Sequence, residues 1–155
     1  MDELRQFEMR HRLAVLIHAA LISSGLIAFL VSYLFSQTMG IPVGEQVTLR
    51  RAIYGSAFVV SIGVILLRRW VLGAGRLGRI AEARGIEGVI EHRLRATLLL
   101  GVASEAVVML GLVLSMLTRV FEDMWRLGGI GMVLLLYTYP WRSVWHRGIE
   151  RARRI

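Results

Sequence analysis

The sequence predicts an all-α integral membrane protein, four transmembrane helices in one compact bundle with both termini in the cytoplasm. Three observations carry that expectation. Of 155 residues, 55% are hydrophobic, and the apolar residues gather into four runs instead of spreading along the chain. Arginine-rich stretches separate those runs, as juxtamembrane segments do. The arginines are also unevenly shared. The leader, the central linker with Arg68 and Arg69, and the tail hold 15 of them, against 4 in the two remaining loops. The positive-inside rule puts the arginine-rich side in the cytoplasm.

The first span is expected over residues 13–35, LAVLIHAALISSGLIAFLVSYLF, after a polar leader that holds Arg5, Arg10 and Arg12. It is too long for a signal-peptide core and no Ala-x-Ala-like site follows, so it reads as retained. Ala20, Ser24 and Ala28 recur every fourth residue and offer a narrow face for a second helix. Gly40, Pro42 and Gly44 then mark a loop. The second span, 52–72, is short before Arg68 and Arg69, whose long side chains reach the headgroups. Tyr54 and Trp70 suit the two interfacial belts.

The linker 73–95 carries an approximate apolar stripe of Leu77, Ile80, Ile86, Val89, Ile90 and Leu94, weakened by Gly85 and Gly88. It reads as two broken amphipathic helical pieces on the cytoplasmic headgroups, or as a surface that docks a partner. The third span is 96–118, and residues 119–126 form a tight outer turn with Glu122 and Asp123. A fourth short span, 127–145, starts glycine-rich and ends among aromatic residues, with Pro140 marking a kink or the helix end. The basic tail is expected to fray.

Composition also bounds the chemistry. With no cysteine there is no disulfide, thiolate metal site or cysteine nucleophile. No nucleophile elbow, Walker loop or paired-histidine helix occurs, so neither an enzyme nor a cofactor or metal is expected. A net charge of +8 would point a soluble chain toward nucleic acid. Here the charges flank apolar spans, so the expected partner is a bilayer with anionic headgroups and no nucleic acid. Arg68, Arg69, Arg76, Arg79, Arg142 and Arg147 are the candidate lipid or partner contacts. All 19 basic residues are arginine, which fits a coding bias as well as a physical demand.

The residue that stands out is Glu105, the one charge in the third span and tenth in its run of 23. About 1.5 Å of rise per residue puts it near the bilayer midplane. A carboxyl there costs at least about 2.5 kcal/mol, so it is a functional-site hypothesis by default. Gly101, Ser104, Val108, Gly111 and Ser115 form a small-residue face beside it, which turns Glu105 toward protein. With no arginine inside a span, the neutral acid should dominate, hydrogen-bonded to a serine, a tyrosine or a carbonyl. Counting depth from each span's start gives Ser23, Ser24, Ser61 and Tyr137 as possible partners, with His18 about 6 Å shallower. A lone histidine more often hydrogen-bonds a neighbour than ligates metal. Glu105 thus either binds a proton or small cation, or joins helices or chains by hydrogen bonds; a small exporter is a third reading.

The segment 95–117, RATLLLGVASEAVVMLGLVLSML, resembles the second helix of the ring subunit (subunit c) of rotary ATP synthases. The carrying residues are Ala103-Ser104-Glu105-Ala106 followed by Gly111-Leu112-Val113. That resemblance implies an ion-binding carboxylate at Glu105. The second span has only Gly55 and Gly63 where that family has a dense glycine run, and the linker is long. Over most of its length the chain looks like small, uncharacterised bacterial four-span proteins. The matching residues are Ala20 to Ser23, Glu105 and Tyr139-Pro140-Trp141-Arg142. This second resemblance names no activity; the chain is expected to be a multi-pass protein of the bacterial inner membrane, either a subunit of a membrane complex or a small homo-oligomer.

Overall fold

The computed structural model describes residues 2–38 and 47–143. Four helices follow one another in it: α1 Asp2–Thr38, α2 Val47–Val71, α3 Ala74–Thr118 and α4 Phe121–Thr138. Three of them hold segments long and apolar enough to cross a membrane, Phe7–Thr38, Val47–Val71 and Gly75–Thr118. The chain is all-α among the described residues, and its long apolar helices support a membrane protein.

Helix α3 is the centre: it packs against α1, α2 and α4, while α1 and α2 each touch α4 and scarcely meet one another. One seam of α3 repeats every seven residues, with Leu100, Val107 and Leu114 buried. Against it lie Ala57 and Val64 of α2 and Leu127 and Leu134 of α4. A repeat of seven keeps one stripe facing its neighbour over several turns. The predicted small-residue face of α3 makes a second seam, closed by glycines of α4. A Cβ on Gly131 would fall 2.7 Å from the Val108 amide nitrogen, and one on Gly111 would fall 2.8 Å from that of Gly128. Only bare backbone permits so close an approach. Ser32 of α1 donates to Ser115 on this side across 2.7 Å.

The exterior is apolar where it leaves the bundle. Only 11% of the apolar window of α2 is buried, against 50% in α3, so Phe58, Val59, Ile62 and Leu66 stand exposed. Water would penalise such a surface; hydrocarbon would not.

Several boundaries differ from those read in the sequence. The leader is helical and continuous with the first span, and its Phe7 and Ala14 pack on Ile90, with Ile86 and Leu94 alongside. The linker is therefore zipped to α1 by its own apolar stripe. It breaks once, at Gly85, whose φ of 65° and ψ of −168° suit glycine; the remainder runs on into the third span. On α1 the buried stripe is Ala14, His18, Gly25, Ala28 and Ser32, whereas Ala20 is exposed. The stripe mixes steps of three, four and seven, with His18, Gly25 and Ser32 each seven apart.

The turn between α3 and α4, expected over 119–126, shrinks to Arg119 and Val120, with Arg119 left-handed at φ 58°. Helix α4 begins at Phe121 because Glu122 and Asp123 occupy its first turn, where the exposed amides favour acidic residues. It ends at Thr138, with Tyr139 extended at φ −52° and ψ 136° ahead of Pro140. A residue preceding proline is driven out of helical geometry. The loop glycines Gly40 and Gly44, Pro42, Arg147 and the rest of the expected frayed tail lie outside the described residues.

Candidate functional site

Glu105 follows Ser104 of the small-residue seam, so the packing of α1 and α4 onto that seam encloses it. The residue is 8% exposed. Gly25 of α1 makes the room: a Cβ there would stand 3.7 Å from Glu105 Oε2 and 2.7 Å from the sulfur of Met132 on α4. Val108 closes the same wall. Both carboxyl oxygens are buried without a hydrogen-bond partner of proper geometry. Ser24, beside Gly25 on α1, is the hydroxyl near enough to act on the carboxyl.

Of the expected partners, then, only Ser24 is brought to Glu105, and the expected hydrogen bond is not formed at full geometry. Ser23 is exposed and donates to its own helix at the Ala19 carbonyl. Ser61 does the same to Ala57, on a helix that packs against the opposite seam of α3. Tyr137 is exposed, with the Arg68 guanidinium 3.9 Å above its ring. His18 is fully buried one turn along α3 from Glu105, against Gly101. Its Nε2 lies 3.4 Å from Thr138 Oγ1, and Tyr139 meets its ring edge-on at 6.1 Å. Further along α1, His11 Nε2 donates to the Pro140 carbonyl across 3.0 Å. Helix α1 therefore fastens His11 and His18 to the end of α4 and carries Ser24 near the carboxyl.

The arginines expected at lipid or partner surfaces divide. Arg76 stacks on Trp70 at 3.9 Å, Arg142 pairs with Glu8 at 3.6 Å, and Arg69 and Arg79 are exposed.

The structure adds a second polar cluster that sequence reasoning missed. Asp123 is 3% exposed and accepts from Arg50 Nε at 3.1 Å and Nη2 at 2.9 Å. Tyr54 Oη donates to it across 3.1 Å, and Thr118 Oγ1 across 2.8 Å. Four donors from α2 and α3 thus hold one carboxylate of α4. The available signal was charge complementarity: two acids and Arg126 share the turn region, and Arg50 belongs to the other loop on that side. Tyr54, expected in an aromatic belt, is part of this cluster.

Chemically the two acids are opposites. Asp123 is saturated with donors and acts as a clamp. Glu105 has two unused oxygens in an apolar wall, an arrangement that can take up a proton or, with nearby hydroxyl and carbonyl oxygens, a small cation. Among the described residues no three of His, Cys, Asp and Glu gather to hold a metal. No family model, curated protein or solved structure matches the chain.

Proposed function

We propose that this is a non-enzymatic membrane protein of four spans, α1 to α4, with both ends and the Gly85 hinge in the cytoplasm of a bacterium, and that Glu105 binds a proton or small cation. The observation that carries the reading is the buried carboxyl with both oxygens unpartnered. An acid serving only to join helices would be expected to spend its oxygens on hydrogen bonds, because an unsatisfied buried polar group costs about 1–3 kcal/mol. A carboxyl kept open in a packed wall fits exchange. The likeness of 95–117 to the ring subunit of rotary ATP synthases supports the same role. So do His11, His18 and Ser24, polar residues of α1 spaced along the helix between its first turns and Glu105. In this reading the chain is a small homo-oligomer or a subunit of a membrane complex, and α4 spans with its acidic first turn at the outer surface.

The second reading is an assembly protein in which Glu105 is a protonated strut between α1 and α3. The nearness of Ser24 favours it. The two readings separate in reconstituted vesicles. Wild type is compared with Glu105→Gln and Glu105→Ala for thermal stability and for proton or sodium flux. Ion handling requires flux in wild type that Gln abolishes while leaving stability nearly intact. Absence of flux from stable wild-type vesicles removes it. Labelling by a hydrophobic carbodiimide is the companion measurement, since an exchanging acid is labelled and added sodium or high pH protects it.

A further inference from the structure

The bend at Gly85 does more than redirect α3. It folds the arm of residues 74–84 back over the start of the long arm and opens a notch of about 790 Å³. From the short arm, Arg76, Arg79 and Arg84 line it; from the long arm, Glu91, His92 and Arg95. Gly75 and Gly88 leave its walls low, and Trp70, at the end of α2, forms one side. Residues 76, 80 and 84 share one helical face by their spacing of four, and residues 88, 91, 92 and 95 share another. The hinge turns these two faces toward one another.

The charges in the notch are unbalanced. Glu91 is engaged by Arg95, and among the described residues none of Arg76, Arg79 and Arg84 forms an ion pair. The Arg76 guanidinium is not loose: its central carbon lies over the Trp70 ring, 3.9 Å from the centroid. That stacking fixes the fork and leaves its Nη1 buried with no hydrogen-bond partner. A buried, held guanidinium donor lacking an acceptor is a specific requirement, distinct from the solvated charge that a surface arginine carries.

We propose that the notch at Gly85 is a binding site for the phosphate of an anionic phospholipid, gripped by Arg76, Arg79 and Arg84. Guanidinium forks match phosphate oxygens in pairs, and those of Arg79 and Arg84, exposed along the notch, are open to a phosphate beside the held Arg76. The source is a lipid because of where the notch lies. It opens at the last turn of α2, an apolar helix long enough to cross a bilayer, beside Trp70, which is 65% exposed and of the type that marks the headgroup level. The inference rests on the reading that α2 and α3 span the membrane, and is independent of what Glu105 does. Its consequence is mechanical. A lipid held on the short arm anchors the hinge to the bilayer surface, and the long arm carries that anchor into the third span.

The test uses the full chain in nanodiscs of phosphatidylcholine with a minor fraction of phosphatidylglycerol, with retained lipid counted by native mass spectrometry. Wild type should keep phosphatidylglycerol selectively, and R76Q/R79Q should lose it, affinity falling about fivefold per arginine removed. R51Q, at the far end of α2, should behave as wild type. Equal retention by wild type and R76Q/R79Q overturns the site. Competition by inorganic phosphate as strong as that by the lipid overturns the lipid as its source. Insertion of both proteins into pure phosphatidylcholine discs checks the membrane reading separately, so its failure is distinguishable. Should the variant misfold, phenylglyoxal labelling of wild-type Arg76 and Arg79 decides: protection by phosphatidylglycerol over phosphatidylcholine upholds the site, and none overturns it.

Discussion

Replacing Asp123 with Asn keeps the shape of the side chain and removes the charge that Arg50, Tyr54 and Thr118 all address. The carboxylate is 3% exposed and receives four donors. Breaking a fully buried pair on one side costs about 3–5 kcal/mol. Here the Arg50 side chain is 36% exposed, so it can recover water when its partner is lost, and the screened share must be discounted. That leaves about 2–3 kcal/mol, with Tyr54 and Thr118 bearing most of the loss. Thr118 matters doubly, because its hydroxyl also receives the Val120 amide at 3.4 Å and so shapes the turn into α4. The measurement is a double-mutant cycle of Asp123→Asn and Arg50→Gln. Unfolding is followed in mild detergent by tryptophan fluorescence against added denaturing detergent. The pair should couple by about 1–2 kcal/mol, well beyond the roughly 0.5 kcal/mol within which independent sites add. Additive losses would show that Arg50 and Asp123 are neighbours without being partners, and the clamp would have to be assigned to the hydroxyls alone.

Two neighbouring glycines of α4 should respond in opposite directions. Gly131→Ala drives a methyl against the Val108 backbone and should cost about 1–3 kcal/mol, whereas Gly129→Ala meets nothing within 4 Å and should stabilise by up to about 1 kcal/mol through helix propensity; equal effects in the same unfolding assay would contradict the close seam. Gly85→Ala forces a side chain into the left-handed region and should cost about 1–2 kcal/mol. It should also lower phosphatidylglycerol retention along with R76Q/R79Q, because the hinge shapes the notch.

How much of this could be read from the chain depended on what kind of coordinate the reading supplied. A break in the linker and the small-residue face of α3 were visible because both rest on local signals, the glycines Gly85 and Gly88 and a repeat of 3 and 4. The partners of Glu105 were sought by depth, which fixes position along a helix but not around it. Ser61 has a suitable depth and faces a different seam; Ser23 is one residue from Ser24 and points outward. The buried stripe of α1 escaped notice because His18, Gly25 and Ser32 interrupt it with polar or absent side chains. An apolar-periodicity argument discounts exactly such positions, though their heptad spacing was there to be seen. Asp123 was read as loop because charge next to a short apolar run usually ends a span. Its neutralisation came from α2, some seventy residues earlier in the chain, and no local pattern announces that.

The unpartnered state of Glu105 makes sense only together with what lies on either side of it along the bundle axis. Toward one end, α3 and α4 touch backbone to backbone through Gly111 and Gly128, and beyond that the Asp123 cluster ties α2, α3 and α4. Toward the other end, Phe7 and Ala14 of α1 grip Ile90 of α3, and His11 fastens α1 to Pro140. Gly25 leaves the carboxyl space without supplying a donor, and the Ser24 hydroxyl beside it stands near without a hydrogen bond of proper geometry. The local cost is carried by packing elsewhere, and buried polar atoms left unsatisfied, here at Glu105 and at His18 Nδ1 one turn away, are what functional positions show. Asp123 and Ser115 demonstrate that this fold can satisfy buried polar groups on the same helices. Of the two buried carboxyls among the described residues, Asp123 is fully paired and Glu105 keeps both oxygens open, which is what the proposed exchange of its partner requires.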